Sequence, residues 1–142
     1  HDDIEAVAAL GAGGVHLPGG GDPAAARKRL PQALIGASAH SPGEAAALLR
    51  GGADYVTLSP IFLTRSKPGY GPALGLGALA AAAAAGRGPV IALGGIAAQN
   101  AASCLLAGAH GVAAMSGIMA AADPEAAVRR LLRALAAGRE RG

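Results

Sequence analysis

Three times along this chain an Ala/Leu-rich stretch runs into Gly-Ala and then a short apolar run. The segments are Leu10-Gly11-Ala12-Gly13-Gly14-Val15-His16-Leu17, Gly52-Ala53-Asp54-Tyr55-Val56-Thr57-Leu58 and Gly108-Ala109-His110-Gly111-Val112-Ala113-Ala114-Met115. A glycine at a helix end takes the left-handed conformation that stops the helix. The short continuous apolar run after it is what a strand buried on both faces requires. Two further runs, Leu34 to Ser38 and Pro89 to Leu93, follow helical stretches in the same way. The expected order is helix 3–10, strand 13–17, helix 23–30, strand 34–38, helix 42–50, strand 54–59, helix 76–85, strand 89–93, helix 97–107, strand 111–115 and helix 124–137. Ser41-Pro42-Gly43-Glu44 and Asp123-Pro124-Glu125 supply N-caps with proline in the first turn. Strict alternation of the two element types points to a parallel sheet covered by helices, an α/β domain.

The chain has 142 residues, the size of one domain, and 1–142 reads as a single unit. Five strands are too few to close an eight-stranded barrel. Either further βα units lie upstream or the sheet is open, and a first residue of His1 rather than methionine favours the former. A five-stranded sheet leaves two edges, so association, including a homo-oligomer, is expected.

Composition narrows the function classes. Hydrophobic residues make up 52% but aromatics only 2%, so the core is built from small aliphatic side chains. The net charge of +3 comes largely from a C-terminal arginine-rich stretch that reads as a solvated helix face. Without basic runs interleaved with aromatics, a nucleic-acid partner is not expected. Residues 88–122 carry no Asp, Glu, Lys or Arg, yet Gly88-Pro89, Gly94-Gly95 and Gly108 break the run too often for a membrane-spanning helix. The single Cys104 excludes an intramolecular disulfide, fits a reducing cytoplasmic setting and reads as a buried inert thiol.

Chemistry concentrates at strand ends. The long connection over 60–75 leaves a strand as Ser59-Pro60-Ile61-Phe62-Leu63-Thr64-Arg65-Ser66-Lys67-Pro68-Gly69. Thr64 and Ser66 can donate hydrogen bonds and Lys67 can supply charge, which makes an anion cradle; a polar loop satisfying its own turn is the plainer alternative. Gly94-Gly95-Ile96 leaves the next strand and opens a helix, and Met115-Ser116-Gly117 follows the last strand. Glycine turns at these positions suit a phosphate held by backbone N–H groups.

Taken in order, Val15-His16-Leu17, Ile35-Gly36-Ala37-Ser38-Ala39-His40-Ser41, Gly52-Ala53-Asp54-Tyr55-Val56, Pro60-Ile61-Phe62 with Thr64-x-Ser66-Lys67-Pro68, Leu93-Gly94-Gly95-Ile96 and Gly108-Ala109-x-Gly111-Val112 with Ser116-Gly117-Ile118 resemble the thiamine-phosphate synthase family, which also contains the thiazole tautomerases. The resemblance covers essentially the whole chain and implies the C-terminal five βα units of a (β/α)₈ TIM barrel. It implies a transferase of thiamine biosynthesis that joins hydroxymethylpyrimidine diphosphate to thiazole phosphate and releases pyrophosphate. It places Thr64, Ser66 and Lys67 on the pyrophosphate, Ser38 near the pyrimidine and diphosphate, and Gly94, Gly95, Met115 and Ser116 on the thiazole phosphate. Lys67, Ser38 and His40 are the implied catalytic residues.

Two departures bear on Mg²⁺, the implied cofactor. Where the family has an Asn-Asp pair this chain has His1-Asp2, and the Gly-Gln-Glu-Asp loop reads Pro18-Gly19-Gly20-Gly21-Asp22. Asp2 matches the pattern, whereas Asp22 is displaced by one position. His40 stands in the Ser-x-His-Ser context used by the tautomerase branch for acid–base chemistry, which keeps that activity as the alternative. A non-catalytic phosphate-binding barrel fragment is a third reading. His16 is expected to be a hydrogen-bonded core histidine and His110 an exposed turn residue.

Overall fold

The structure is a computed structural model that describes residues 3–63 and 71–140. Among these residues five strands, β1 (Gly14–Leu17), β2 (Leu34–Ala39), β3 (Tyr55–Leu58), β4 (Val90–Leu93) and β5 (Gly111–Ala113), form one parallel sheet in sequential order. Among the described residues seven helices accompany them: α1 (Ile4–Leu10), α2 (Pro23–Arg29), α3 (Pro42–Arg50), α4 (Gly75–Ala84), α5 (Ala98–Leu106), α6 (Ser116–Met119) and α7 (Pro124–Arg139). Parallel neighbours joined by right-handed crossovers in unbroken order place every connecting helix on the same face of the sheet. That arrangement is an arc of a (β/α) barrel, with helices outside and a second sheet face inside.

The chain folds this way because its helix boundaries are well signalled. Ser41 Oγ caps α3 through the Glu44 amide at 3.1 Å, and Asp123 Oδ1 caps α7 through the Ala126 amide at 2.9 Å. Gly11, Gly52 and Gly108 all have positive φ after α1, α3 and α5, as the recurring Gly-Ala pattern predicts. At the other end of the strands, Asp54 Oδ2 accepts the Ile35 amide at 2.6 Å and Arg27 at 2.7 Å, which ties the starts of β2 and β3 to α2. The Ile35 hydrogen bond holds the Asp54 carboxyl below its ordinary pKa, with Arg27 adding to the effect.

The outer face is the core. Val15, Leu17, Ile35, Ala37, Val56, Leu58, Val90 and Ala92 are buried against helix residues that include Ala26, Leu48, Leu49, Leu79 and Cys104. Burial pushes the Cys104 thiol up to about 11, so it is a packing residue. The alternate positions His16, Ser38, Tyr55, Thr57, Ile91 and Leu93 are only half-buried and face inward. Burial on both strand faces is therefore not what the chain has, because its inner face carries polar side chains. Most boundaries shift by a residue or two, and the region after β4 shows the clearest differences from expectation. β5 stops at Ala113 rather than running to 115, and a single-turn helix, α6, begins at Ser116. Among the described residues no helix is long and apolar enough to cross a membrane.

Candidate active site

Parallel register sorts the inner-face side chains into rows. His16, Gly36 and Tyr55 share one row, and Ser38, Thr57, Ile91 and Gly111 share the next towards the C-terminal ends. His16 stands between the two rows as a link. Its Nδ1 lies 3.1 Å from the Tyr55 hydroxyl and its Nε2 lies 3.0 Å from Ser38 Oγ. Tyr55 spans a whole strand to make this contact, and Gly36 allows it. A Cβ at Gly36 would lie 2.2 Å from Tyr55 Cζ, so the ring occupies the space of the missing side chain. Desolvation lowers the His16 pKa, which favours the neutral ring. Beside Ser38, Thr57 Oγ1 is buried and has no hydrogen-bond partner among the described residues.

At the rim, His40 follows the end of β2. Its Nδ1 lies 3.0 Å from the Ser59 carbonyl oxygen, and a carbonyl can only accept, so the neutral ring carries its proton on Nδ1. The lone pair is then at Nε2, 3.1 Å from the point a Gly19 Cβ would occupy. The His40 amide donates to Glu44 Oε2 at 2.7 Å, which anchors the backbone to α3.

The glycine turn after β4 is built against the β3 exit. Gly94 and Gly95 have φ of +92 and +65, and Cβ atoms there would meet Pro60 Cα at 2.7 Å and the Leu63 oxygen at 2.5 Å. The Ile61 and Phe62 amides donate to the Leu93 and Gly94 carbonyls. Asn100 staples the turn from α5, accepting from the Ala97 amide at 2.8 Å and donating to the Gly95 carbonyl at 2.9 Å. Ser116 opens α6 beside it, where a Cβ on Gly117 would lie 3.4 Å from the Ile96 oxygen. Met115 is exposed and Ser116 half-buried. The turns after β3, β4 and β5 thus meet at one rim, the C-terminal end of the sheet.

Several residues named from sequence sit differently or fall elsewhere. Thr64, Ser66, Lys67 and Asp2 lie outside the described residues. Asp22 is the N-cap of α2, its Oδ1 accepting from the Ala24 and Ala25 amides at 2.9 and 3.1 Å. Among the described residues no group of three or more His, Cys, Asp or Glu could hold a metal ion. Mg²⁺ is commonly held by one or two carboxylates together with waters and substrate phosphates, and Asp2, the matching carboxylate, lies outside the described residues. His110 is exposed as expected, with its ring Nδ1 3.4 Å from the Val90 amide. Sequence reasoning passed over Tyr55, Thr57 and Asn100. Asn100 alone had a local signal, an amide side chain at the third position of a helix.

Residues 1–118 match the family model described as thiamine monophosphate synthase. The chain belongs to that family. A thiamine-phosphate synthase of Laribacter hongkongensis is 44% identical over 133 residues, covering 92% of this chain and 63% of the relative. One from Methanoculleus marisnigri is 42% identical, with 100% and 68% covered. The solved structure of thiamine phosphate pyrophosphorylase from Pyrococcus furiosus superimposes with a TM-score of 0.83 at 31% identity, covering 96% of this chain and 66% of that one. The chain spans a little under two thirds of the length of several relatives of this family. The likeness of fold supports reading the five-stranded sheet as part of the family's barrel.

Proposed function

We propose that the protein is a thiamine-phosphate synthase, in which this chain supplies the C-terminal rim of the site. Hydroxymethylpyrimidine diphosphate loses pyrophosphate as its C–O bond breaks, the electron pair leaving with the phosphate oxygen. The thiazole nitrogen of the second substrate then donates its lone pair to the exposed methylene carbon, forming the C–N bond. The observation that carries this reading is the Ser38 hydroxyl, held 3.0 Å from His16 Nε2 on the inner face near the end of β2, in a chain of this family. A hydroxyl so placed can donate to an oxygen that gains charge as the bond breaks. Thr64, Ser66 and Lys67 would hold the diphosphate. The Gly94-Gly95 turn, Met115 and Ser116 would hold the thiazole phosphate. Mg²⁺ belongs to the proposal through the family, and Asp2 is the residue to examine for it.

The tautomerase alternative is favoured by one observation, the His40 ring with its proton fixed on Nδ1 and its lone pair on Nε2. Lys67 separates the two readings. In the full-length protein, Lys67→Ala is expected to lower kcat for pyrophosphate release by ~10²-fold, the range for losing a charge-stabilising donor. Pyrophosphate release and thiazole isomer conversion are measured side by side. If isomer conversion proceeds without pyrophosphate release and ignores Lys67→Ala, the tautomerase reading replaces this one.

A further inference from the structure

We propose that Tyr55, acting through His16, fixes the Ser38 hydroxyl as a hydrogen-bond donor towards an anionic ligand on the inner face. This rests on the synthase reading for the ligand's identity, a diphosphate, but its physical basis is separate. Tyr55 and His16 are positioning residues here, because only Ser38 is argued to touch the ligand.

The three groups form an ordered line. Adjacent strands lie about 4.8 Å apart, so Tyr55 and His16 stand two strand spacings from each other. The tyrosine crosses that gap through the notch at Gly36 and reaches His16 Nδ1 at 3.1 Å, with ring centroids 5.5 Å apart. A neutral imidazole has one donor and one acceptor, so fixing one nitrogen fixes the other. A phenol is more acidic than an aliphatic alcohol, so Tyr55 is the better donor of the two hydroxyls. It donates to Nδ1, the ring proton sits on Nε2, and Nε2–H donates to Ser38 Oγ. The hydrogen of Ser38 is then not spent on His16 and can serve a ligand oxygen. In the opposite tautomer Ser38 would donate to Nε2 and offer only lone pairs, which repel phosphate oxygens.

The test joins a tautomer measurement with binding and kinetics on the full-length protein. ¹⁵N NMR of histidine-labelled protein, with His16→Asn for assignment, should place the proton on Nε2 in the wild type. Tyr55→Phe keeps the ring in the Gly36 notch but removes the hydroxyl. It should lose that tautomer preference while the melting temperature falls by no more than about 4 °C, the worth of one hydrogen bond. It should also weaken inorganic pyrophosphate binding and lower kcat, each by up to about tenfold, the worth of one hydrogen bond. The KM for thiazole phosphate should stay within about twofold, because that substrate does not meet Ser38. In a Ser38→Ala background Tyr55→Phe should have no further effect. A proton on Nδ1 in the wild type, unchanged pyrophosphate affinity in Tyr55→Phe, or additive effects with Ser38→Ala would each overturn the proposal. Absence of pyrophosphate release by the wild type would instead refute the synthase reading, and the tautomer and binding measurements would still decide this one.

Discussion

Gly36→Ala is the sharpest probe of how the inner face is assembled. The added methyl would lie 2.2, 2.4 and 2.5 Å from Tyr55 Cζ, hydroxyl oxygen and Cε1. A rigid ring cannot yield at its tip alone, so the whole side chain must leave the notch and lose its hydrogen bond to His16. Overpacking costs about 1–3 kcal/mol and the lost bond about 1 kcal/mol more, which places the expected destabilisation at about 2–4 kcal/mol. At roughly 4 °C per kcal/mol for a chain of this size, the melting temperature should fall by about 8–16 °C. Denaturant unfolding followed by circular dichroism measures the free energy directly. The decisive comparison is the same substitution in a Tyr55→Ala background, where the notch is empty. There it should cost no more than about 0.5 kcal/mol, since φ at Gly36 is one that alanine adopts. Equal costs in the two backgrounds would refute the claim that Tyr55 fills the space of the missing side chain.

Asp54→Asn removes a charge while keeping an acceptor for the Ile35 amide. Because the folded pKa of Asp54 is depressed, its charge adds stability above the unfolded value near 3.8 and loses that contribution as pH falls through the folded pKa. The variant should therefore be less stable by at most about 1 kcal/mol at neutral pH, a figure reduced for the partial exposure of the pair, and should converge with the wild type in strong acid. A gap that persists at the lowest pH would rule out the charge as its cause. Thr57→Val should stabilise the ligand-free protein by about 1 kcal/mol, since it replaces a buried unpartnered hydroxyl with a methyl of similar shape. Destabilisation in the same unfolding assay would mean that the hydroxyl is satisfied.

The elements were legible because their signals are local. Glycine at the ends of α1, α3 and α5, and Ser41 and Asp123 as caps, act within one turn, so the expected boundaries of most elements lie within one or two residues of those found. α6 escaped because four residues are too short for any periodicity to register. β5 ends early because Met115 leaves the extended region, at φ −123 and ψ −70. The site was less legible. Asp22 illustrates why, because a helix cap and a metal ligand both call for an exposed carboxylate after a glycine-rich loop. The His16–Tyr55 contact joins residues 39 apart in sequence through a gap defined by a third residue, and no motif encodes that.

The neighbour-to-neighbour order of the sheet has a kinetic consequence. Paired residues are separated by 20 positions from Gly14 to Leu34, 19 from Ala37 to Val56 and 20 from Ile91 to Gly111. From Val56 to Val90 the separation is 34, because this connection holds the long excursion after β3. Loop-closure entropy grows only with the logarithm of length, so the excursion costs about 0.5 kcal/mol more than its neighbours. By that amount β3 and β4 are expected to pair about twofold more slowly than the other neighbours. The segment proposed to hold the diphosphate thus lies at the widest sequence gap between paired strands, where the sheet is expected to join β1–β3 to β4–β5.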